Sequence, residues 1–137
     1  MKKDEAEKTR NKQLVSSGTE WERKFGYSRA VKIHDMIFVA GTTAVDEAGK
    51  IVGIGDPYRQ ALFIYEKIDK ALREAGSSLK DVVRVRTFVT DISRWEEVAK
   101  AQGEVFADIR PAATLVQVAA LVEQDLLAEI EVDAVIQ

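Results

Sequence analysis

The run Arg110-Pro-Ala-Ala-Thr-Leu-Val-Gln-Val-Ala-Ala120, followed after a short polar break by Leu127-Ala-Glu-Ile-Glu-Val-Asp-Ala-Val-Ile136, decides the fold. Both halves have the composition of strands. In the second the period is two: Ile130, Val132, Ala134 and Ile136 fall on one face, and Glu129, Glu131 and Asp133 on the other. Three carboxylates on one strand face repel one another unless cations or water meet them. Such a strand must be covered on its apolar face and matched on its acidic one.

A match for the acidic face lies upstream. Val82 to Thr90 alternates Val83, Val85, Thr87 and Val89 against Arg84, Arg86 and Phe88, a central strand with two cations and an aromatic on its second face. A helix precedes it. Asp56 can cap it, Pro57 suits its first turn and Gly76 can stop it, while Ala61, Ile64, Tyr65, Ile68, Ala71, Leu72 and Ala75 form a 3.6-period stripe. Glu66, Lys67, Asp69, Lys70 and Arg73 are placed opposite that stripe. Ser93-Arg-Trp-Glu96 reads as a capping box opening a second helix, Trp95 to about Ala107, whose apolar stripe begins with Trp95 and Val98.

Nearer the N-terminus, Leu14-Val-Ser-Ser-Gly18 reads as a short edge strand, and residues 19–26 as a loop anchored by Trp21 and Phe25. Tyr27 to Ile33 and Met36 to Ala40 flank His34-Asp35 as a hairpin. Three glycines between Asp46 and Gly55 mark a loop. Residues 1–13 are a polar tail or arm, and residues 14–137 a single domain. The order β-β-β-α-β-α-β-β makes an α+β chain with a mixed sheet.

Two helices with one stripe each cover only one face of such a sheet. The other face holds Arg84, Arg86 and Phe88 on one strand and the three carboxylates on another. If those strands are neighbours the charges pair, but each exposed pair contributes only ~0.2–1 kcal/mol. Mixed ionic and apolar groups there point to burial against another copy of the chain. A homo-oligomer with clefts where subunits meet is expected.

Composition narrows the chemistry. The 137 residues are 46% hydrophobic and 31% charged, as in an ordinary globular domain. A net charge of −3 argues against a general polyanion binder, so no nucleic-acid partner is expected. There is no apolar stretch of membrane-spanning length and, after Met1-Lys-Lys-Asp-Glu, no apolar leader, so the expected location is the cytoplasm. With no Cys and one His, thiolate chemistry and multi-histidine metal sites are excluded. The three acids of one strand face are too spread to hold an ion alone. Neither metal nor cofactor is expected.

The residues resemble a known family, the RidA/YjgF group, also called endoribonuclease L-PSP. Gly26-Tyr-Ser-Arg-Ala-Val31 is similar to its Gly-Pro-Tyr-Ser-Gln-Ala-Val, and Ile37-Phe-Val-Ala-Gly41 to its Leu-Phe-Val-Ser-Gly. Ala75-Gly-Ser-Ser-Leu-Lys-Asp-Val-Val83, Phe88-Val-Thr-Asp91, Arg110-Pro-Ala112 and Glu129-Ile-Glu131 complete the series. Each motif is weak alone; six in the right order are strong. The resemblance implies a chorismate-mutase-like fold and a homotrimer with small-molecule clefts between subunits. Active members are deaminases that hydrolyse imines or enamines such as 2-aminoacrylate. In them an arginine forks onto the substrate carboxylate, and the glutamate opening Glu-Ile-Glu positions water.

Carried onto this chain, the cleft positions are Tyr27, Gly41, Phe88, Ala113, Leu115 and Glu129. The chain departs from the family at one of them: the arginine's position, two residues after Pro111, is Ala113. It therefore resembles an arginine-less subgroup. The function this implies is binding and hydrolysis of a small reactive imine, enamine or carbonyl metabolite, with Glu129 as the catalytic carboxylate. The alternative is a non-catalytic, metabolite-binding or regulatory trimer. Ribonuclease activity fits the acidic charge balance and the missing His pair poorly.

The other candidates carry two readings each. Arg86 either reaches the cleft beside Phe88 or pairs with Glu131 or Glu129. Thr42 and Thr43 follow Gly41, where a hydroxyl can orient a ligand (Thr43 above all) or cap the strand. Tyr27 lines the cleft or packs, Trp21 closes over it or anchors a loop, and His34 is a solvated turn residue. If Glu129 is buried its pKa rises; if it is paired with Arg84 or Arg86 its pKa falls.

Overall fold

A computed structural model describes residues 12–137. The strands are β1 (Lys12–Val15), β2 (Ala30–Ile33), β3 (Met36–Thr43), β4 (Val82–Val89), β5 (Ala112–Gln117) and β6 (Ala128–Val135), with helices α1 (Glu20–Phe25), α2 (Pro57–Glu74) and α3 (Trp95–Val105). They form one sheet in the order β1-β2-β3-β6-β4-β5. Only β4 and β5 run parallel; every other pair is antiparallel. The mixed α+β architecture is the one expected. Residues 1–11, most of the polar tail, lie outside the described residues, while Lys12 and Gln13 already belong to β1.

The C-terminal strand sits in the middle, between β3 and β4. Ile130, Val132 and Ala134 are fully buried, together with Ile37, Val39, Val85 and Val89 of the flanking strands. Helix α2 supplies Ala61, Ile64, Tyr65, Ile68 and Leu72 to the same core, and α3 supplies Val98 and Ala101. Tyr65 meets Phe106 edge to face, with ring centroids 5.2 Å apart, tying the middle of α2 to the end of α3. Asp56 caps α2 as its position predicts, accepting from the Arg59 amide at 3.1 Å. The His34-Asp35 hairpin also forms, with Ile33 opposite Met36 and His34 at φ 52°.

Four local details differ from the sequence reading. Residues 20–25 form a helix rather than a loop, because Glu22 gathers the Ser17 amide and the Ser17 and Thr19 hydroxyls at its start, and Gly26 at φ 72° ends it. Ser93 caps nothing: Asp91 accepts from both its amide and its hydroxyl, folding Ile92–Arg94 into a 3-10 turn before α3. Trp95 is left 47% exposed rather than joining the core stripe. The β4–β6 register shifts between Val82 and Arg84, so Val82 is buried and Val83, expected inside, is exposed. Among the described residues no helix is long and apolar enough to cross a membrane.

Candidate functional site

Across the open face, register sets the charges in rows: Arg84 opposite Asp133, Arg86 opposite Glu131, and Phe88 opposite Glu129. Arg86 Nη1 lies 3.3 Å from Asp133 and 3.5 Å from Glu131, and Arg84 Nε lies 3.9 Å from Asp133. Two of the three carboxylates are therefore met by cations on β4. Glu129 is left to other partners.

Those partners come from β3. Between Val39 and Thr42 the β3–β6 register slips, so that Val39 opposes Val132, Thr42 opposes Ile130 and Thr43 opposes Glu129. The extra β3 residue makes a bulge at residues 40–41. The Glu129 side chain lies against Gly41: a Cβ added there would stand 3.0 Å from the Glu129 Cδ and closer still to Oε2. A side chain at residue 41 would displace that carboxylate from its present place.

A bulge breaks the ladder, and its carbonyls need other donors. Side chains supply them. Thr42 Oγ1 donates to Ala40 O at 2.8 Å and Arg29 Nη2 to Gly41 O at 2.6 Å, while just past the bulge Lys67 Nζ, reaching across from α2, joins the Val45 amide on Thr43 O, at 2.7 and 2.9 Å. Arg29 is also fixed through its backbone, its amide donating to Val15 O and its carbonyl accepting from Ala40 N. Its Nε is buried and has no partner among the described residues.

The electrostatics follow from this enclosure. Burial raises the Glu129 pKa, Arg29 pulls it back, and neighbouring Glu131 adds to the rise. Burial and the charge of Arg29 push the Lys67 amine down to about 8, against the pull of Asp46. Burial likewise lowers Arg29, opposed by Tyr27, Glu22 and Glu129. Of the two fates open to Glu129, the structure gives the first: a half-buried carboxylate with a raised pKa. Such a group can take a proton from water and return it to a leaving amine.

The fold thus brings Gly41, Thr43, Phe88 and Glu129 together. Tyr27, 44% exposed, lies farther along the open face, where it lines a concavity of about 600 Å³ with Phe38, Arg86 and Glu131. Ala113 and Leu115 are elsewhere. They pair with Val85 and Thr87 on the edge strand β5, sharing the helix-covered side, and β4 separates them from Glu129. Trp21 stacks on Phe25 at 5.3 Å.

Two residues of the cluster escaped the sequence reading, Arg29 and Lys67. Lys67 had a signal: with Gln60, Ile64 and Ala71 it makes an i, i+4, i+7, i+11 row, and the other three are buried. Arg29 had none, since its contact depends on a bulge in another strand.

Comparison with known proteins bears on the family and the fold. The model of the family described as Endoribonuclease L-PSP matches residues 18–136. The 3-aminoacrylate deaminase RutC of Acinetobacter baylyi is 36% identical over 104 residues, covering 76% of this chain and 82% of that one. A RutC family protein of Pyrococcus abyssi is 39% identical over 106 residues, covering 77% and 82%. Among solved structures, a Mycobacterium tuberculosis member of the YjgF/YER057c/UK114 family superposes with a TM-score of 0.82 at 44% identity, over 91% of this chain and 99% of that one. Yeast Mmf1 superposes with a TM-score of 0.78 at 27% identity, over 90% and 94%.

Proposed function

Since the chain belongs to the endoribonuclease L-PSP (RidA/YjgF) family, we propose that it acts in the cytoplasm as a homotrimer, hydrolysing a small reactive imine or enamine in clefts between subunits. The observation that carries this reading is the Glu129 carboxylate, half-buried on Gly41 with its pKa raised, opposite Thr43 and Phe88. A relative named as a 3-aminoacrylate deaminase supports the chemical class. In the proposed reaction Glu129 takes a proton from water as its oxygen adds to the carbon of C=N. The protonated carboxyl then delivers a proton to the nitrogen of the tetrahedral adduct. Glu129 next takes the adduct's hydroxyl proton and passes it to that nitrogen as the C–N bond breaks, so ammonia departs, a carbonyl remains and one water is consumed for each ammonia released.

The test is ammonia release from a panel of imines generated in place by amino-acid oxidases. We expect turnover by the wild type and a loss of about 10²–10⁴-fold in Glu129→Gln, the usual cost of removing a general acid–base. Absence of turnover across the panel overturns the assignment. Ala113 favours one second reading, a trimer that binds a metabolite without converting it, because the residue offers no fork for a carboxylate. A ligand-induced rise in Tm without turnover decides for that reading. Ala113→Arg separates the two: a gain of 2-aminoacrylate hydrolysis shows that only the anion clamp is missing.

A further inference from the structure

We propose that Arg29 is a positioning residue for Glu129: its guanidinium holds the Gly41 carbonyl while the carboxylate rests on the Gly41 Cα, and Lys67 pins the Thr43 end of the same bulge. The proposal rests on the reading of Glu129 as the water-handling group for its catalytic consequence, but its geometry is independent of any substrate.

The grounds are the contacts of one short segment. Arg29 Nη2 and Lys67 Nζ donate to carbonyls two residues apart, at 2.6 and 2.7 Å, and Glu129 lies against the first of these residues, Gly41, and opposite the second, Thr43. Charged donors to carbonyls make short, directional bonds; Arg29 stands in for the broken ladder at Gly41, and Lys67 adds a second donor to Thr43 O beside the Val45 amide. Both cations are also enclosed: burial disfavours the charge of each, and among the described residues neither has a carboxylate within 4.0 Å. Their charge is spent on backbone dipoles, so the field of Arg29 still reaches Glu129, which it keeps more acidic than burial alone would leave it.

The charged and titratable surroundings of Glu129 are few. Glu131 follows on β6, Arg29 lies before β2 with Tyr27 and Glu22 beside it, and Lys67 stands across the bulge on α2 with Asp46 near it. Arg86 on β4 is occupied by Glu131 and Asp133. Arg29 is the cation that opposes the burial of Glu129.

The experiment is a carbon-13 titration of the Glu129 carboxyl in the full chain without substrate, for the wild type, Arg29→Gln, Arg29→Lys, Lys67→Met and Arg73→Gln. In Arg29→Gln the Glu129 midpoint is expected to rise, because the cation that opposes its burial is gone. Arg29→Lys returns most of that shift, Lys67→Met moves the midpoint less than half as far, and Arg73→Gln, on the outer face of α2, leaves it in place. A purely structural role predicts lowered Tm in Arg29→Gln with an unmoved midpoint, and that result overturns the proposal, as does an equal shift in Lys67→Met. If Arg29→Gln does not fold, Arg29→Met carries the same test: a folded variant with the Glu129 midpoint unmoved also overturns it. Failure of imine hydrolysis with the midpoint moved removes the deaminase reading alone. Hydrolysis with the midpoint fixed removes only the role of Arg29.

Discussion

At Gly41 a hydrogen atom in place of a methyl group decides whether Glu129 has a seat. The Cβ of an alanine would collide with the carboxylate, so Gly41→Ala should expel it from the sheet surface. Because the displaced group is the end of a flexible side chain, urea unfolding is expected to change by no more than about 0.5 kcal/mol, while the Glu129 pKa should fall back toward that of an ordinary carboxylate. Normal stability with the Glu129 titration unchanged counts against the seat. Ionisation of Glu129 also leaves a sign on stability. Its folded pKa is raised, so its favourable contribution is full below its unfolded value and is lost as pH rises through the folded one. Glu129→Gln should therefore match the wild type in Tm at low pH and exceed it by a few degrees at neutral pH. Much of this site was legible in the chain. Gly41, Thr43, Phe88 and Glu129 could be singled out from alternation and family likeness, because a strand's period fixes the face of each residue. Arg29 could not, since a bulge in β3 aims its bond, and Lys67 was assigned to the solvent side although its row on α2 runs inward.

Helix α2 illustrates why some elements are readable before any coordinates exist. A cap, a first-turn proline, an unbroken apolar stripe and a stop are all local signals, and here they agree. Removing one of them has a bounded cost: Asp56→Ala loses the bond to the Arg59 amide and should lower stability by about 1 kcal/mol in chemical denaturation. A loss below about 0.5 kcal/mol, the scatter of surface changes, would mean that packing alone sets the helix start. Where several donors and acceptors compete, local signals fail. Ser93 matched a capping box, yet Asp91 takes both its amide and its hydroxyl. Residues 20–25 looked like a loop because their helix is held by a carboxylate that gathers groups from outside it. Of the two bulges, the Val83 shift in β4 has no signature within its own strand, whereas the slip in β3 has one in Gly41, since a glycine inside a strand often marks a bulge.

For the whole molecule the unresolved quantity in one chain is the open face. Leu14, Val31 and Phe38 stand side by side across β1, β2 and β3, with Leu14 60% and Phe38 41% exposed. Phe38 in turn opposes Asp133, so this apolar strip borders the ionic rows and lines the concavity beside Arg86. Apolar groups continuous with half-exposed ion pairs are what a subunit interface presents, and monomers seldom leave such a patch in water. Sedimentation velocity is accordingly expected to give a trimer, and Phe38→Asp, which adds a carboxylate next to Asp133 without touching the helix-covered core, a monomer with unchanged circular dichroism. The site makes the same demand. Ala113 and Leu115 lie on the outer strand, on the opposite side of the sheet from Glu129 and beyond β4, so no single chain can enclose one ligand with both. If the cleft joins them, it does so by setting the β5 edge of one copy against the Glu129 face of the next. Phe38→Asp should then abolish turnover although Phe38 touches neither group, and a monomeric variant that keeps full activity would place the whole site within one chain.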